Sequence, residues 1–225
     1  MVGLNLASPP AFRGLDPDIP ITIYHRNLPH WRRSGATYFV TFRLGDSLPR
    51  IKLDYLRRLR DHWMMMHPSP RTEEVWKDYA RTVLLHPEKW LDEGHGACHF
   101  KSQKLAFELR DSFMRFQGSR YFLSCWVIMQ NHCHMVIRPS AEWSLEDLLQ
   151  GIKGASARQV NSAVGRKGAL WQDESFDHIV RDEEHLWRVV QYIGRNLRKA
   201  NLAHEGWRRW LHPEWEAAGW RFVDI

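Results

Sequence analysis

Between residues 37 and 44 the chain follows a period of two. Tyr38, Val40, Phe42 and Leu44 fall on one side, and Phe39, Thr41 and Arg43 on the other. In a run of aromatic and β-branched residues this predicts a strand with the first four facing a core. The period then lengthens. Leu53, Leu56, Leu59 and Trp63 recur at intervals of three and four, one side of a helix over 53–66. Leu105, Leu109, Phe113 and Phe116 form a second such stripe over 103–116. Residues 120–129 and 132–137 read as two strands joined at Gln130-Asn131, because asparagine tolerates the left-handed backbone of a tight turn. Ser144, with Asp147 three residues on, opens an amphipathic helix over 145–164. A short strand follows at 176–180. Asp182 then caps a helix over 183–200, whose stripe of Leu186, Val189, Val190, Ile193 and Leu197 faces a core.

In order these elements read β-α-β-β-α-β with a trailing helix. The pattern predicts an α+β, ferredoxin-like antiparallel sheet with helices on one face, plus the trailing helix. Pro68, Pro70, Pro87 and Gly94-His95-Gly96 interrupt the periodicity and mark an insertion at about 67–98, with a short helix at 73–79. Residues 1–34 predict an extended N-terminal arm, 35–204 a single domain and 205–225 a tryptophan-rich tail.

Composition narrows the function. At 225 residues and 44% hydrophobic the chain can bury a core. It has no apolar run of about 18 residues that would predict a membrane span. Its start shows no basic-then-apolar secretory pattern. Three scattered cysteines predict no disulfide framework and a reducing, cytoplasmic setting. A net charge of +6 and a pI near 9.4 favour a polyanionic partner, nucleic acid first. Twelve tryptophans could stack on unpaired bases, although tryptophan more often packs in cores.

The candidate chemistry lies in two places. His132 and His134 are two residues apart on a strand, so their imidazoles share a face and could hold a cation between them. Tyr192 and Asn196 lie one turn apart on the last helix. If that helix packs beside the hairpin, the Asn196 carbonyl oxygen becomes a third ligand, suited to Mg²⁺ or Mn²⁺, with the Tyr192 hydroxyl close by. A cation on a phosphodiester orients phosphorus for in-line attack. A phenolate can be the attacking nucleophile, and a phenol with its ordinary pKa of about 10 needs activation to become one. Lys199, on the same face as Tyr192, and Arg195 are candidates to contact DNA. Singly, each has a plainer reading: an incidental His pair, a core-edge tyrosine, a capping asparagine. Their conjunction points to a site. His95, Cys98 and His99 lack a fourth partner at zinc-finger spacing.

The segment Met129-Gln130-Asn131-His132-Cys133-His134-Met135-Val136-Ile137 resembles the HUH motif of single-tyrosine transposases. Leu170-Trp171-Gln172, Phe176-Asp177-His178 and Val180-Arg181-Asp182 resemble the segment that follows it in REP-associated tyrosine transposases. Residues 192–202 resemble their tyrosine helix, and Tyr38-Phe39-Val40-Thr41-Phe42 their opening strand. The resemblance implies a divalent metal, Mg²⁺ or Mn²⁺, on His132, His134 and Asn196, with Tyr192 as nucleophile. It further implies a 5′-phosphotyrosine intermediate and single-stranded or hairpin DNA as substrate, REP-like palindromes included. Two positions depart from the family pattern. Leu197 stands where proline is usual, so the helix is expected to run on, and Asn201 replaces a glycine and is expected to cap it. Monomer and homodimer both remain open. So does a second reading, a ferredoxin-like sheet that binds single strands without catalysis, and a third, a metal-dependent hydrolase.

Overall fold

A computed structural model describes residues 6–16, 18–25, 29–84, 86–202 and 206–223. Two short strands, β1 (Thr22–His25) and β2 (Pro29–Arg32), pair antiparallel within the segment expected as an extended arm. The main sheet begins with β3 (Tyr38–Arg43). Helix α1 (Arg50–Met66) follows, then the insertion with α2 (Glu73–Tyr79), a π-helical turn (Ala80–Leu84) and α3 (His86–Leu91). Helix α4 (Gln103–Met114) leads into the hairpin of β4 (Tyr121–Ile128) and β5 (His132–Pro139). Helix α5 (Leu145–Ala163), β6 (Phe176–Ile179) and α6 (Glu183–Lys199) complete the expected order. The tail adds β7 (Arg209–Leu211) and α7 (Pro213–Ala217).

The sheet order is β6-β3-β5-β4-β7, antiparallel throughout. Its first four strands have the ferredoxin-like arrangement the sequence predicts. The expected caps form: Ser144 Oγ accepts from the Asp147 amide, and the Asp182 carboxylate accepts from the His185 amide.

Alternation decides which residues meet which layer. Tyr38, Val40, Phe42 and Leu44 face a core shared with α4 and α5, and Cys133 joins them. Phe39, Val127 and Val136 face the other way, against Leu186, Val189, Val190, Ile193 and Leu197 of α6. The trailing helix therefore covers the second face of the sheet. Because Cys133 points to the first core, His132 and His134 point to the face under α6.

The insertion has a small aromatic core of its own. Trp63 of α1 packs with Trp76, Tyr79 and Val83, and its indole donates to Asp78 at 2.9 Å. The tail is equally well packed. Trp215 and Trp220 are fully buried against α6, and their indoles donate to the carbonyls of Pro10 and Ala7. Trp63, Trp76, Trp126 and Trp171 are buried as well. These six tryptophans serve packing. Among the described residues no helix is long and apolar enough to cross a membrane.

Candidate active site

Three aromatic rings meet on the α6 side of the sheet. The imidazoles of His132 and His134 have centroids 4.8 Å apart and nearly perpendicular planes. The ring of Tyr192 stands edge-on to His134, centroids 5.1 Å apart. Phe39, from the neighbouring strand, stacks on His134 at 5.5 Å and meets Tyr192 edge-on at 5.8 Å. The hairpin and α6 thus bring together the residues that the sequence singled out from separate elements, within one chain.

Hydrogen bonds fix how each ring is presented. The Asn131 amide donates to the His95 carbonyl through Nδ2 at 2.9 Å, which turns its Oδ1 toward His132 Nδ1 at 2.8 Å. His132 therefore carries its proton on Nδ1 and leaves Nε2 as a lone pair. His134 Nδ1 pairs with Thr41 Oγ1 at 2.7 Å. In the tautomer in which Nδ1 donates to the Thr41 hydroxyl, His134 Nε2 is likewise a lone pair, and this nitrogen has no hydrogen-bond partner although buried. Asn196 Nδ2 donates to the Tyr192 carbonyl at 2.7 Å, and its Oδ1 is buried without a partner. An unpaired buried acceptor costs roughly 1–3 kcal/mol. Two of them, both good cation donors, sit beside one tyrosine. That set fits a divalent cation, and the Nδ1 partners are the outer-shell contacts that orient ligating histidines. Among the described residues no three His, Cys, Asp or Glu side chains form a cation cluster. The third donor of this set is an amide.

Electrostatics keep the histidines neutral. Burial, aided by the charge of Arg43, lowers the His132 pKa to about 3. Burial, then His132 and Lys199, hold His134 well below the usual range. Neutral imidazole is the form that binds metal. Lys199 Nζ lies 4.6 Å from the Tyr192 ring centroid, so the expected shared face is real. Arg195 is exposed on the same helix. The helix continues through Leu197, which is buried, and Asn201 turns it with φ +53°, as a left-handed cap does.

Four neighbours were missed by sequence reasoning. Thr41 and Arg43 pair in register with His134 and His132 across β3 and β5, so all four share a face. Their signal was present in the alternation of β3, but the strand pairing that makes it meaningful is not local. Asn131 shows in the sequence only a turn residue's signal. Asp92, at the end of the insertion, lies 4.0 Å from His132 Nε2. Burial raises its pKa, opposed by Lys199. The His95, Cys98, His99 group stays structural: Cys98 Sγ donates to the Gly94 carbonyl at 3.1 Å.

Residues 103–196 match the family model "Transposase IS200 like". The matched segment is similar to that family. It runs from the start of α4 to Asn196 and so contains both histidines, Tyr192 and the amide donor, whereas Thr41, Arg43, the insertion and the tail lie outside it. Two solved structures are similar to the chain. One is a REP-associated tyrosine transposase bound to a REP hairpin, at 16% identity and a TM-score of 0.37, covering 79% of this chain and 73% of that one. The other is a Deinococcus radiodurans R1 protein provisionally described as a transposase, at 16% identity and a TM-score of 0.34, covering 77% and 96%. At such superposition scores neither carries an argument about this chain. No curated protein matches the chain.

Proposed function

We propose that the chain is a transposase that cleaves and rejoins single-stranded or hairpin DNA, REP-like palindromes included, through a 5′-phosphotyrosine. Tyr192 is the nucleophile. His132, His134 and Asn196 hold Mg²⁺ or Mn²⁺. The observation that carries this reading is the pair of unpartnered buried polar atoms, His134 Nε2 and Asn196 Oδ1, the first on a ring that packs edge-on against Tyr192 and the second one helical turn from Tyr192.

When bound, the cation draws charge from the phosphodiester and raises the electrophilicity of its phosphorus. The chain's own residues do the rest. Phe39 and His134 hold the Tyr192 ring edge-on, which restricts its rotation and aims the phenol. The ammonium of Lys199 beside that ring favours the phenolate and the phosphate it attacks. The phenolate oxygen bonds to phosphorus, the bond from phosphorus to the 3′ oxygen breaks, and that oxygen leaves as a hydroxyl after taking a proton. A second 3′-hydroxyl can reverse the step, because the phosphotyrosine ester keeps the energy of the cleaved linkage.

Mixing the protein with hairpin-bearing single-stranded DNA and Mg²⁺ or Mn²⁺ should give a protein–DNA adduct on denaturing gels, absent in Tyr192→Phe. Binding without adduct under either metal supports the non-catalytic module instead. Cleavage that survives Tyr192→Phe but not loss of both histidines supports the hydrolase.

A further inference from the structure

A cavity of about 340 Å³ opens on the same sheet face, next to the candidate active site. Its floor is Thr41 and Arg43 of β3 with Phe176 of β6. Its walls come from Leu53 and Leu56 of α1 and from Tyr79, Val83 and Leu91 of the insertion. Thr41 belongs to both places, since its hydroxyl also pairs with His134.

Two polar groups in this apolar cleft are unusual. Tyr79 is fully buried, yet its hydroxyl has no hydrogen-bond partner. Arg43 Nη1 donates to Ser47 Oγ at 3.0 Å, and among the described residues no carboxylate pairs with it. Burial lowers its pKa to about 10. Arg43 is half-buried, and a guanidinium partly withdrawn from water without an anion is costly unless an anion arrives. Other charges at the cavity are already paired: Arg57 with Asp54, Arg60 with Asp61, and Glu174 with His30. Arg43 is the cation left for a ligand, and it is near enough to His132 to depress that pKa.

We propose that this cavity receives one unpaired nucleotide of the DNA strand that crosses the active site, with the base between the apolar walls, its polar edge toward the Tyr79 hydroxyl and its phosphate on Arg43. The volume lies at the low end of ligand pockets, which span roughly 300–1,000 Å³, and suits a single nucleotide and no duplex. Apolar and aromatic walls are what an unstacked base requires. The insertion, which has no part in the proposed strand cleavage, thereby becomes a specificity element. This inference rests on the transposase reading above.

The probe is a 15-nucleotide oligo(dT) carrying 5-iodouracil, photocrosslinked to the full chain and mapped by mass spectrometry. Crosslinks at Tyr79 or Phe176 are expected, and they should vanish in Leu56→Trp, which fills the cavity. The same variant should lose five-fold or more of the affinity ratio between oligo(dT) and an abasic backbone of equal length, while binding to the abasic strand stays within two-fold. In Arg43→Gln the slope of log K against log salt should fall by about 0.7, the release expected for one single-strand phosphate contact. Tyr79→Phe should keep its melting temperature and change the preference among oligo(dT), oligo(dC) and oligo(dA). Crosslinks confined to other surfaces, or an unchanged ratio in a folded Leu56→Trp, overturn the inference. The Tyr192 adduct is scored separately. Adduct without cavity crosslinks refutes the cavity alone, and cavity crosslinks without adduct refute the transposase reading alone.

Discussion

Asn196→Leu separates a metal ligand from a structural amide. In the metal-free protein Asn196 Oδ1 is buried without a partner, which costs roughly 1–3 kcal/mol, and Nδ2 gains about 1 kcal/mol from its bond to the Tyr192 carbonyl. Leucine, of similar shape, removes both. The variant should therefore be as stable as the parent in chelator, or more stable by up to about 2 kcal/mol, which is up to roughly 8 °C for a chain of this size. Metal reverses the ranking. At a concentration about 100 times the dissociation constant, a bound ion stabilises the parent by about 2.7 kcal/mol, roughly 5–10 °C. The variant should gain a small fraction of that. Thermal unfolding in EDTA and in MnCl₂, read by circular dichroism, gives all four values. A variant that melts several degrees lower in EDTA, or that gains as much from Mn²⁺ as the parent, would refute the assignment of Asn196 as a ligand.

Thr41→Val removes the partner of His134 Nδ1 and should weaken Mn²⁺ binding about 10- to 100-fold, measured by calorimetry, with Tyr192 chemistry weakened at limiting metal and restored at high metal. A pH effect is expected at His30. Burial alone would lower the pKa of His30, but hydrogen bonds from its ring to Asp177 and Glu174 outweigh it and raise the pKa to about 9. A raised histidine stabilises fully below its unfolded value of about 6.5, and the contribution is lost as pH climbs through 9. The melting temperature should therefore fall between pH 6.5 and 9.5 by an amount worth up to about 3 kcal/mol, and His30→Gln should flatten that slope. An equal slope in both proteins would refute it.

What the sequence revealed follows from the range of the physics involved. Periodicity and capping are local, so the strands, helices, Ser144 and Asp182 were legible. The His-x-His pair and the Tyr192–Asn196 turn were legible for the same reason, since faces follow from spacing within one element. Partners across elements were not. Nothing in Thr41 or Arg43 announces a place opposite the histidines until β3 is paired with β5 in one register. The stripe on α6 predicts burial but not which side of the sheet it covers. The three-residue strand β7 is too short to carry a period, and it forms because β4 offers an open edge.

Residues 206–223 hold the helix that carries Tyr192 in place. Gln191 binds the Arg221 carbonyl and the Val223 amide, Arg209 reaches the Gly194 carbonyl, and a methyl at Gly194 would come within 2.8 Å of Phe222. The segment beyond α6 is a strap buckled over the helix that carries Tyr192. Two copies could trade that helix only by unfastening the strap and stripping β7 from the sheet edge. If Tyr192 attacks DNA as proposed, a helix so fastened acts within its own chain, and two DNA ends are brought together by moving the DNA.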